Sequence, residues 1–348
     1  SDWVQSTPAL AMLWFLAALV VAVLAGVSFA FDRFGVPVLL VVGLWSLGSG
    51  YLTRSTHFFY LQPAAQQQAN VLAVAPASAA AVFEQRRKGD DKRDKVVLVC
   101  AAGGGIQASA WTARVLTGLR AKLPWFDGHI GLISGVSGGS VGAMFYVDGR
   151  AAGASDVEIN DRAQASSLNP LAWALVYKDI RRPLGLRIDT AMDRGIALES
   201  TWRSRLSSAG AIRGLAALDV DAGVLPFALN ASLGGFGARE GKGQRLVFSN
   251  VDLGPDVKQF RTTYPGLDID LATAARMSAT FPYATPMARA GLWTEHGAEP
   301  ILPDHYVADG GYFDNFGVVT GLDWLAQLED TENLDVAILR IVAFPNDV

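Results

Sequence analysis

The residues best suited to chemistry form a short glycine-rich segment, Gly135-Val136-Ser137-Gly138-Gly139. This G-x-S-x-G motif follows a predicted strand and opens a predicted helix, which is the setting of a nucleophile elbow. Glycines at positions 135 and 139 suit so tight a turn, and the helix N-terminus favours negative charge on the serine oxygen. We therefore predict Ser137 as a nucleophile; the alternative is a glycine-rich turn with an incidental serine.

Three consecutive glycines, Gly103-Gly104-Gly105, lie between the first predicted strand and its helix. Acyl transfer passes through a tetrahedral oxyanion. The backbone N–H groups of glycines, which no side chain obstructs, can stabilise this oxyanion by roughly 3 kcal/mol each. The alternative is a phosphate cradle for a nucleotide. The segment does not fit G-x-G-x-x-G and contains no Walker lysine, so an oxyanion hole is the better interpretation.

A nucleophilic serine needs a base, and Asp309-Gly310-Gly311 is the strongest candidate. Asp309 follows the apolar pair Val307-Ala308 at a predicted strand end, and Gly310 and Gly311 would let another backbone approach the carboxylate. A free aspartate has a pKa of about 3.9, so it must be made more basic, for example by burial beneath Tyr312, Phe313 and Phe316. Two alternatives are a structural Asp-Gly turn and a Ser-His-Asp triad that uses His305. No histidine follows Asp309, whereas an α/β-hydrolase has its histidine last.

Composition narrows the classes of function. Hydrophobic residues make up 51% of the chain and charged residues 18%, with a mean hydropathy of +0.25, which is unusually apolar for a soluble domain. The net charge of -4 offers no long-range attraction for nucleic acid. With a single cysteine, Cys100, and four scattered histidines, we expect no metal site and no cofactor.

Strands alternate with helices along much of the chain. Strands are predicted at 96–101, 131–134, 227–230, 245–248 and 336–339, and helices at 109–123 and 141–147, with further helices between Asp156 and Arg213. The run at 96–101 is continuously apolar and β-branched, as in a strand buried on both faces. We therefore predict an α/β fold with a mostly parallel central sheet flanked by helices.

A membrane hairpin is predicted at the N-terminal end. No residue from Ala9 to Phe31 is charged, and such a helix would be roughly 34 Å long, enough to cross a hydrocarbon core. A second uncharged stretch, Val36 to Leu52, would reach roughly 26 Å. The alternatives are a signal peptide and buried core helices. Possible interface aromatics are Trp14, Trp45 and Tyr51.

The predicted division of the chain is two transmembrane helices at 1–60, a linker and charged run at 61–95, and a catalytic domain at 96–348. Two spans leave both ends on one side of the membrane, and the positive-inside rule places that side in the cytoplasm. The basic residues behind this expectation are Arg54, Arg86, Arg87, Lys88, Lys92, Arg93 and Lys95. A further span upstream of Ser1 would reverse the orientation.

The motifs taken together, in this order, resemble the patatin-like phospholipases. Further similarity lies in Arg276-Met277-Ser278-Ala279-Thr280-Phe281-Pro282, in Asn230-Ala231-Ser232 and in residues 243–249, so that the resemblance covers 96–348. It implies a three-layer αβα fold, a Ser137–Asp309 dyad and an oxyanion hole at Gly103, Gly104 and Gly105. It also implies hydrolysis of fatty acyl esters without metal. Gln107 and Ala108 depart from the family pattern, which often has Arg or Lys and then glycine.

The function that these observations favour is a serine acyl hydrolase of membrane lipids, of the phospholipase A or lysophospholipase type. We expect its partners to be a lipid substrate and the bilayer, with no nucleic acid. The sequence does not indicate an oligomeric state. The alternative from another class is a non-catalytic module that binds lipid or a protein partner. Binding alone needs neither a serine on an elbow nor a distant Asp-Gly-Gly.

Overall fold

The computed structural model describes residues 7–53, 57–63, 76–87, 95–181, 192–207, 214–234, 244–282, 284–294, 297–301, 305–328 and 334–344. Its centre is one curled 10-stranded sheet, with the order β10-β2-β3-β4-β9-β7-β1-β6; β5 pairs with β4 and β8 with β7. The strands are β1 (Phe58–Pro63), β2 (Lys95–Ala101), β3 (Ile130–Val136), β4 (Phe227–Gly234), β5 (Gln244–Ser249), β6 (Leu267–Asp268), β7 (Ala288–Thr294), β8 (Gly297–Pro300), β9 (Tyr306–Asp309) and β10 (Asp335–Ile341).

Helices lie on both faces of this sheet, as predicted for an α/β fold, whereas the first two helices of the chain form the N-terminal hairpin. The helices are α1 (Ala9–Asp32), α2 (Val38–Thr53), α3 (Ala79–Arg87), α4 (Gly105–Lys122), α5 (Phe126–His129), α6 (Gly138–Ala151), α7 (Asp156–Gln164), α8 (Leu168–Tyr177), α9 (Arg194–Arg203), α10 (Phe260–Thr263), α11 (Leu271–Ser278) and α12 (Val318–Leu325). Short 3₁₀ turns span Asp179–Arg181, Leu215–Ala217 and Gly310–Tyr312.

The parallel part of the sheet explains the apolar run at 96–101. Strands β10, β2, β3 and β4 are parallel neighbours, and alternate residues of β2 point into different cores. Val97 and Val99 pack with α4, α6, α7, α9 and α11, whereas Val96 and Leu98 pack with α3 and α12 on the opposite face. The β2 residues from Val96 to Ala101 are therefore buried on both faces of the sheet, which is why the strand does not alternate apolar with polar residues.

The other part of the sheet is mainly antiparallel. β9 pairs antiparallel with both β4 and β7, and β6 pairs antiparallel with β1. Only β1 and β7 are parallel in this part. Because β4 lies between β3 and β9, the end of the predicted nucleophile strand and the end of the strand that carries Asp309 are two positions apart in the sheet.

The predicted strands and helices agree with the structure, and two further segments belong to the folded domain. β1 pairs with β6 and β7. Its residues had been predicted to belong partly to the transmembrane hairpin at 1–60 and partly to the linker at 61–95. α3 contributes Ala79 and Val82 to the core beneath β2 and β3. Residues 88–94 of the predicted charged run lie outside the described residues. β1 and α3 therefore pack with the sheet although they precede residue 96, and the division of the chain into domains stays a prediction.

The N-terminal hairpin is present as two helices of unequal length. α1 has 24 residues, is long and apolar enough to cross a membrane, and is 6% buried over its most apolar window. By length and composition alone, a signal sequence would pass the same test. α2 has 16 residues, fewer than the roughly 20 of an untilted span. A second span therefore stays a prediction, and Arg54 lies outside the described residues.

Two strand-to-helix turns pack directly against each other at the carboxyl ends of β2 and β3. A Cβ added to Gly139 would lie 2.2 Å from the Ala101 carbonyl oxygen, and one added to Gly138 would lie 2.0 Å from the Gly105 carbonyl oxygen. Both neighbours are backbone atoms, which cannot turn aside as a flexible side chain can. Glycine at 138 and 139 is therefore required for the approach of the two turns.

We predict that Gly139→Ala lowers the free energy of unfolding by about 3 kcal/mol or more, because the added methyl overlaps the β2 backbone. Gly118→Ala is the matched control. Gly118 is an exposed residue of α4 with nothing within 4 Å of an added Cβ, so alanine should stabilise by up to about 1 kcal/mol. Denaturant unfolding of both variants checks this; equal stability of the two would contradict the packing described.

Candidate active site

Ser137 occupies the sharp turn between β3 and α6. Its backbone has φ 51° and ψ −123°, and among the described residues it is the single non-glycine with positive φ. Such a conformation costs of order 1–3 kcal/mol and persists when the surrounding structure enforces it. The geometry is that of a nucleophile elbow, with Ser137 directly before the N-terminus of α6.

The bend at Ser137 is held from below by Ser278, the last residue of α11. The Ser278 hydroxyl accepts a hydrogen bond from the Ser137 N–H at 3.1 Å and donates to the Asn230 carbonyl. It also lies 2.7 Å from the Ser140 hydroxyl. Ser140 is fully buried, so its hydroxyl belongs to the packing beneath the turn.

A buried ion pair fixes α11 in turn. Arg276 is completely buried, and its Nε donates to Glu199 of α9 at 2.8 Å. Breaking a pair of this kind by removing one partner leaves an uncompensated buried charge. In the sequence, the Arg276–Pro282 segment is recognisable only by the family resemblance. Its residue spacing does not show that the Ser278 hydroxyl contacts the turn at Ser137, which is 141 residues away.

Asp309 ends β9 at the level of the elbow. It lies opposite Ala231 of β4, and its N–H donates to the Thr280 carbonyl at 2.9 Å. Oδ1 accepts from the Gly311 N–H at 2.8 Å. Oδ2 makes no hydrogen bond of standard geometry to a described residue, yet the Ser137 hydroxyl is near enough to influence ionisation of the carboxyl.

Burial makes this carboxylate a better base than a free aspartate. Asp309 is 3% exposed, and burial raises its pKa, an effect that the Ser137 hydroxyl and the Gly311 N–H only partly offset. Of the three aromatic residues expected to cover it, Tyr312 and Phe313 have exposed side chains and Phe316 is partly buried. The carboxylate is buried instead by its position at the end of an interior strand.

Of the glycines after Asp309, Gly310 allows a close approach of another backbone, as predicted, whereas the near neighbours of Gly311 are side-chain atoms. A Cβ on Gly310 would lie 2.1 Å from the Asn230 carbonyl oxygen, and one on Gly311 would lie 2.9 Å from Asn315 Oδ1. Asn315 is a residue whose role the sequence did not reveal. It borders the same cavity as Ser137 and Asp309.

The three glycines predicted as an oxyanion hole divide into two groups. The Gly103 N–H donates to the Asn315 carbonyl at 3.0 Å, so it is occupied, and the prediction of Gly103 as an oxyanion donor finds no support here. Gly104 and Gly105 have φ values of 146° and 61° and border the cavity beside Ser137. Gly104 directly precedes α4 and Gly105 is its first residue, where the N–H groups have no intrahelical acceptor. Gly138, the first residue of α6, is in the same position.

A cavity of about 830 Å³ opens over Ser137 and Asp309, which is within the usual size range for small-molecule sites. Asp309 is the charged residue among those that border it. The rest of the wall is mainly apolar. Much of it comes from α6, α8 and α9, through Val141, Phe145, Leu168, Leu171, Leu198 and Trp202, and Phe281 adds to it from the segment after α11. A long acyl chain matches such a lining.

The histidines of the described residues do not border this cavity. His57 pairs with Asp193 at 2.7 Å, and His129 contacts the Trp125 carbonyl at 2.8 Å. His305 precedes β9, four residues before Asp309, and His296 lies outside the described residues. The geometry therefore favours a Ser–Asp pair over a triad that uses His305. Among the described residues, no group of three or more His, Cys, Asp or Glu side chains could hold a metal ion.

Comparison with known proteins gives one positive finding. The family model described as patatin-like phospholipase matches residues 99–320, which contain Ser137, Asp309 and all the glycines discussed above. Patatin-like phospholipases are a family of lipid acyl hydrolases. No curated protein sequence matches the chain significantly.

The raised pKa of Asp309 predicts that the ionised carboxylate lowers the stability of the folded protein. A raised pKa in the folded state favours folding below the unfolded pKa of about 3.9, and this contribution is lost as the pH rises through the folded value. At pH 7.5 the ionised carboxylate therefore weakens the fold. Asp309→Asn should raise the melting temperature at pH 7.5, with a gain that shrinks as the pH approaches 4.

Asp256→Asn is the control, because Asp256 is exposed and its replacement should leave the melting temperature unchanged at every pH. Thermal unfolding of the three proteins across this pH range makes the comparison. A lower melting temperature for Asp309→Asn at pH 7.5 would contradict a carboxylate held at an energetic cost.

Proposed function

Because the chain belongs to the patatin-like phospholipase family, we propose that it hydrolyses acyl esters of membrane lipids with Ser137 as nucleophile and Asp309 as base. The observation that carries this proposal is the pairing of a strained serine with a buried, basic carboxylate at one apolar cavity. A purely structural Asp-Gly turn would not need its carboxylate at that place.

In the first half of the reaction Asp309 takes the hydroxyl proton of Ser137 while Oγ attacks the ester carbonyl carbon. The electron pair of the C=O bond moves to the carbonyl oxygen. The N–H groups of Gly104, Gly105 and Gly138 stabilise the resulting oxyanion, an effect worth roughly 3 kcal/mol per donor. When the intermediate collapses, the C–O bond to the alcohol breaks, and Asp309 returns the proton to the departing alkoxide.

In the second half a water molecule attacks the acyl-Ser137 ester and gives a proton to Asp309. The new oxyanion is stabilised by the same donors. Its collapse breaks the bond to Ser137 Oγ, which recovers the proton from Asp309, and the fatty acid leaves. The same carboxyl thus acts as base and then as acid in each half, for which a pKa nearer the working pH is an advantage.

The apolar cavity supports a long acyl chain as the substrate group, of the phospholipase A or lysophospholipase type. α1 and α2 anchor the enzyme in the bilayer where such esters reside, with the catalytic domain on the cytoplasmic side. A non-catalytic lipid-binding module would use the cavity equally well. It would give no reason for the positive φ of Ser137, which costs stability without improving binding.

We predict that Ser137→Ala and Asp309→Ala each lower kcat/KM for an acyl ester by about a thousand-fold or more, because each removes a group that acts in bond making. His305→Ala should keep kcat/KM within about threefold. The assay is hydrolysis of p-nitrophenyl butyrate and of a lysophospholipid by purified protein in detergent, with circular dichroism to verify folding. A loss for folded His305→Ala as large as that for Ser137→Ala would favour the triad instead.

A further inference from the structure

Helix α8 forms the wall between the cavity and the apolar helix α1. One side of α8 borders the cavity through Leu168 and Leu171. A second side packs against Met12 of α1 through Ala172 and Val176, which are four residues apart and so lie on one helical face. The ten residues of α8 contain no charged side chain.

The two helices run in the same direction. At one end the Ala9 N–H of α1 donates to Asn169 Oδ1 of α8 at 2.9 Å. From there the packed residues extend along both helices, as far as Leu16 on α1 and Val176 on α8. The C-terminal end of α8 therefore lies two turns further along α1 than the cavity-lining end.

The length of α1 places part of α8 at the depth of the bilayer. Beyond Leu16, α1 continues only to Asp32, about 24 Å at 1.5 Å per residue. α2, with 16 residues, provides the same length. A hydrocarbon core is about 30 Å thick, so an α1 that crosses it without thinning the bilayer needs about 6 Å more, which the turn of α1 packed against α8 supplies.

The side chains at this end of α8 are those that favour a membrane interface. The rings of Trp173 and Tyr177 lie 6.0 Å apart, and Lys178 Nζ lies 5.8 Å from the Trp173 ring. Tryptophan and tyrosine concentrate at headgroup level, and lysine can extend its ammonium toward the headgroups from an apolar stem. Trp173 also packs against the cluster of Met12, Ala172 and Val176, so these side chains lie beside α1.

The cavity itself has an apolar rim that is exposed. Leu168 is 51% exposed, Phe281 55% and Tyr312 60%, and all three border the cavity. Leu168 is also adjacent to Asn169, which bonds to the start of α1. The rim is therefore continuous with the surface that α1 and α8 share.

We propose that α8 lies against the bilayer interface beside α1, with Trp173, Tyr177 and Lys178 at the headgroups, and that this seats the cavity rim close to the membrane. A long-chain acyl ester then leaves the leaflet at that end of α8 and reaches the rim at Leu168 about two turns, or roughly 11 Å, along the helix. This rests on the proposed function for its substrate, while the position of α8 at the bilayer does not.

The depth of α8 can be measured independently of activity. Cys100 is the single cysteine of the sequence and is buried, so a nitroxide can be attached selectively to Tyr177→Cys in the full chain, reconstituted in phosphatidylcholine nanodiscs. Val157→Cys, at an exposed site on α7, is the matched aqueous reference. Collisions with oxygen should exceed those with a nickel chelate at 177 and not at 157. Equal nickel accessibility at both sites would overturn the proposal.

Activity on two substrates tests the consequence for entry. In nanodiscs containing a fluorogenic long-chain acyl ester, Tyr177→Asp should reduce turnover at least tenfold, whereas Val157→Asp should not. Hydrolysis of p-nitrophenyl butyrate, which arrives from water, should stay within twofold for both. An equal loss on both substrates would contradict a role in seating the rim. Failure of Ser137→Ala to abolish butyrate hydrolysis would instead contradict the proposed function.

Discussion

The site depends on one constraint, namely that a serine hydroxyl and a buried carboxylate must meet at the ends of strands separated by β4. Ser137 follows β3 and Asp309 ends β9, and both turns must bend sharply to face the same cavity. Gly138, Gly139 and Gly310 make this possible, because a side chain at any of them would overlap backbone atoms. The positive φ of Ser137 and the raised pKa of Asp309 are energetic costs that the surrounding packing offsets.

Much of this arrangement could be predicted from the sequence because it is encoded locally. Three short motifs each follow a strand, namely G-x-S-x-G, the glycines at 103–105 and Asp309-Gly310-Gly311. The apolar run of β2 predicts a buried strand. The supporting contacts are not local. Ser278 and Asn315 reach the site through tertiary packing, and the hydrogen bond from Gly103 to Asn315 could not be inferred from a glycine run. β1 was missed because its neighbours in the sheet come from residues 267–294.

The contact between α1 and α8 suggests a second role for the apolar N-terminal helix α1, besides anchoring. Anchoring alone would require only sufficient length, whereas α1 packs on a helix whose other side borders the cavity. On this account, membrane attachment and substrate entry involve the same helix. The sequence could not show this relation, since α1 and α8 are about 160 residues apart.

The most direct measurement is the site and rate of labelling by a fluorophosphonate, followed by tandem mass spectrometry. The reagent should form one adduct, on Ser137, and Asp309→Asn should slow its formation strongly although the folded protein is intact. An adduct on Ser140 or another residue, or equally fast labelling of Ser137 without the Asp309 carboxylate, would contradict the pairing of these two residues as nucleophile and base.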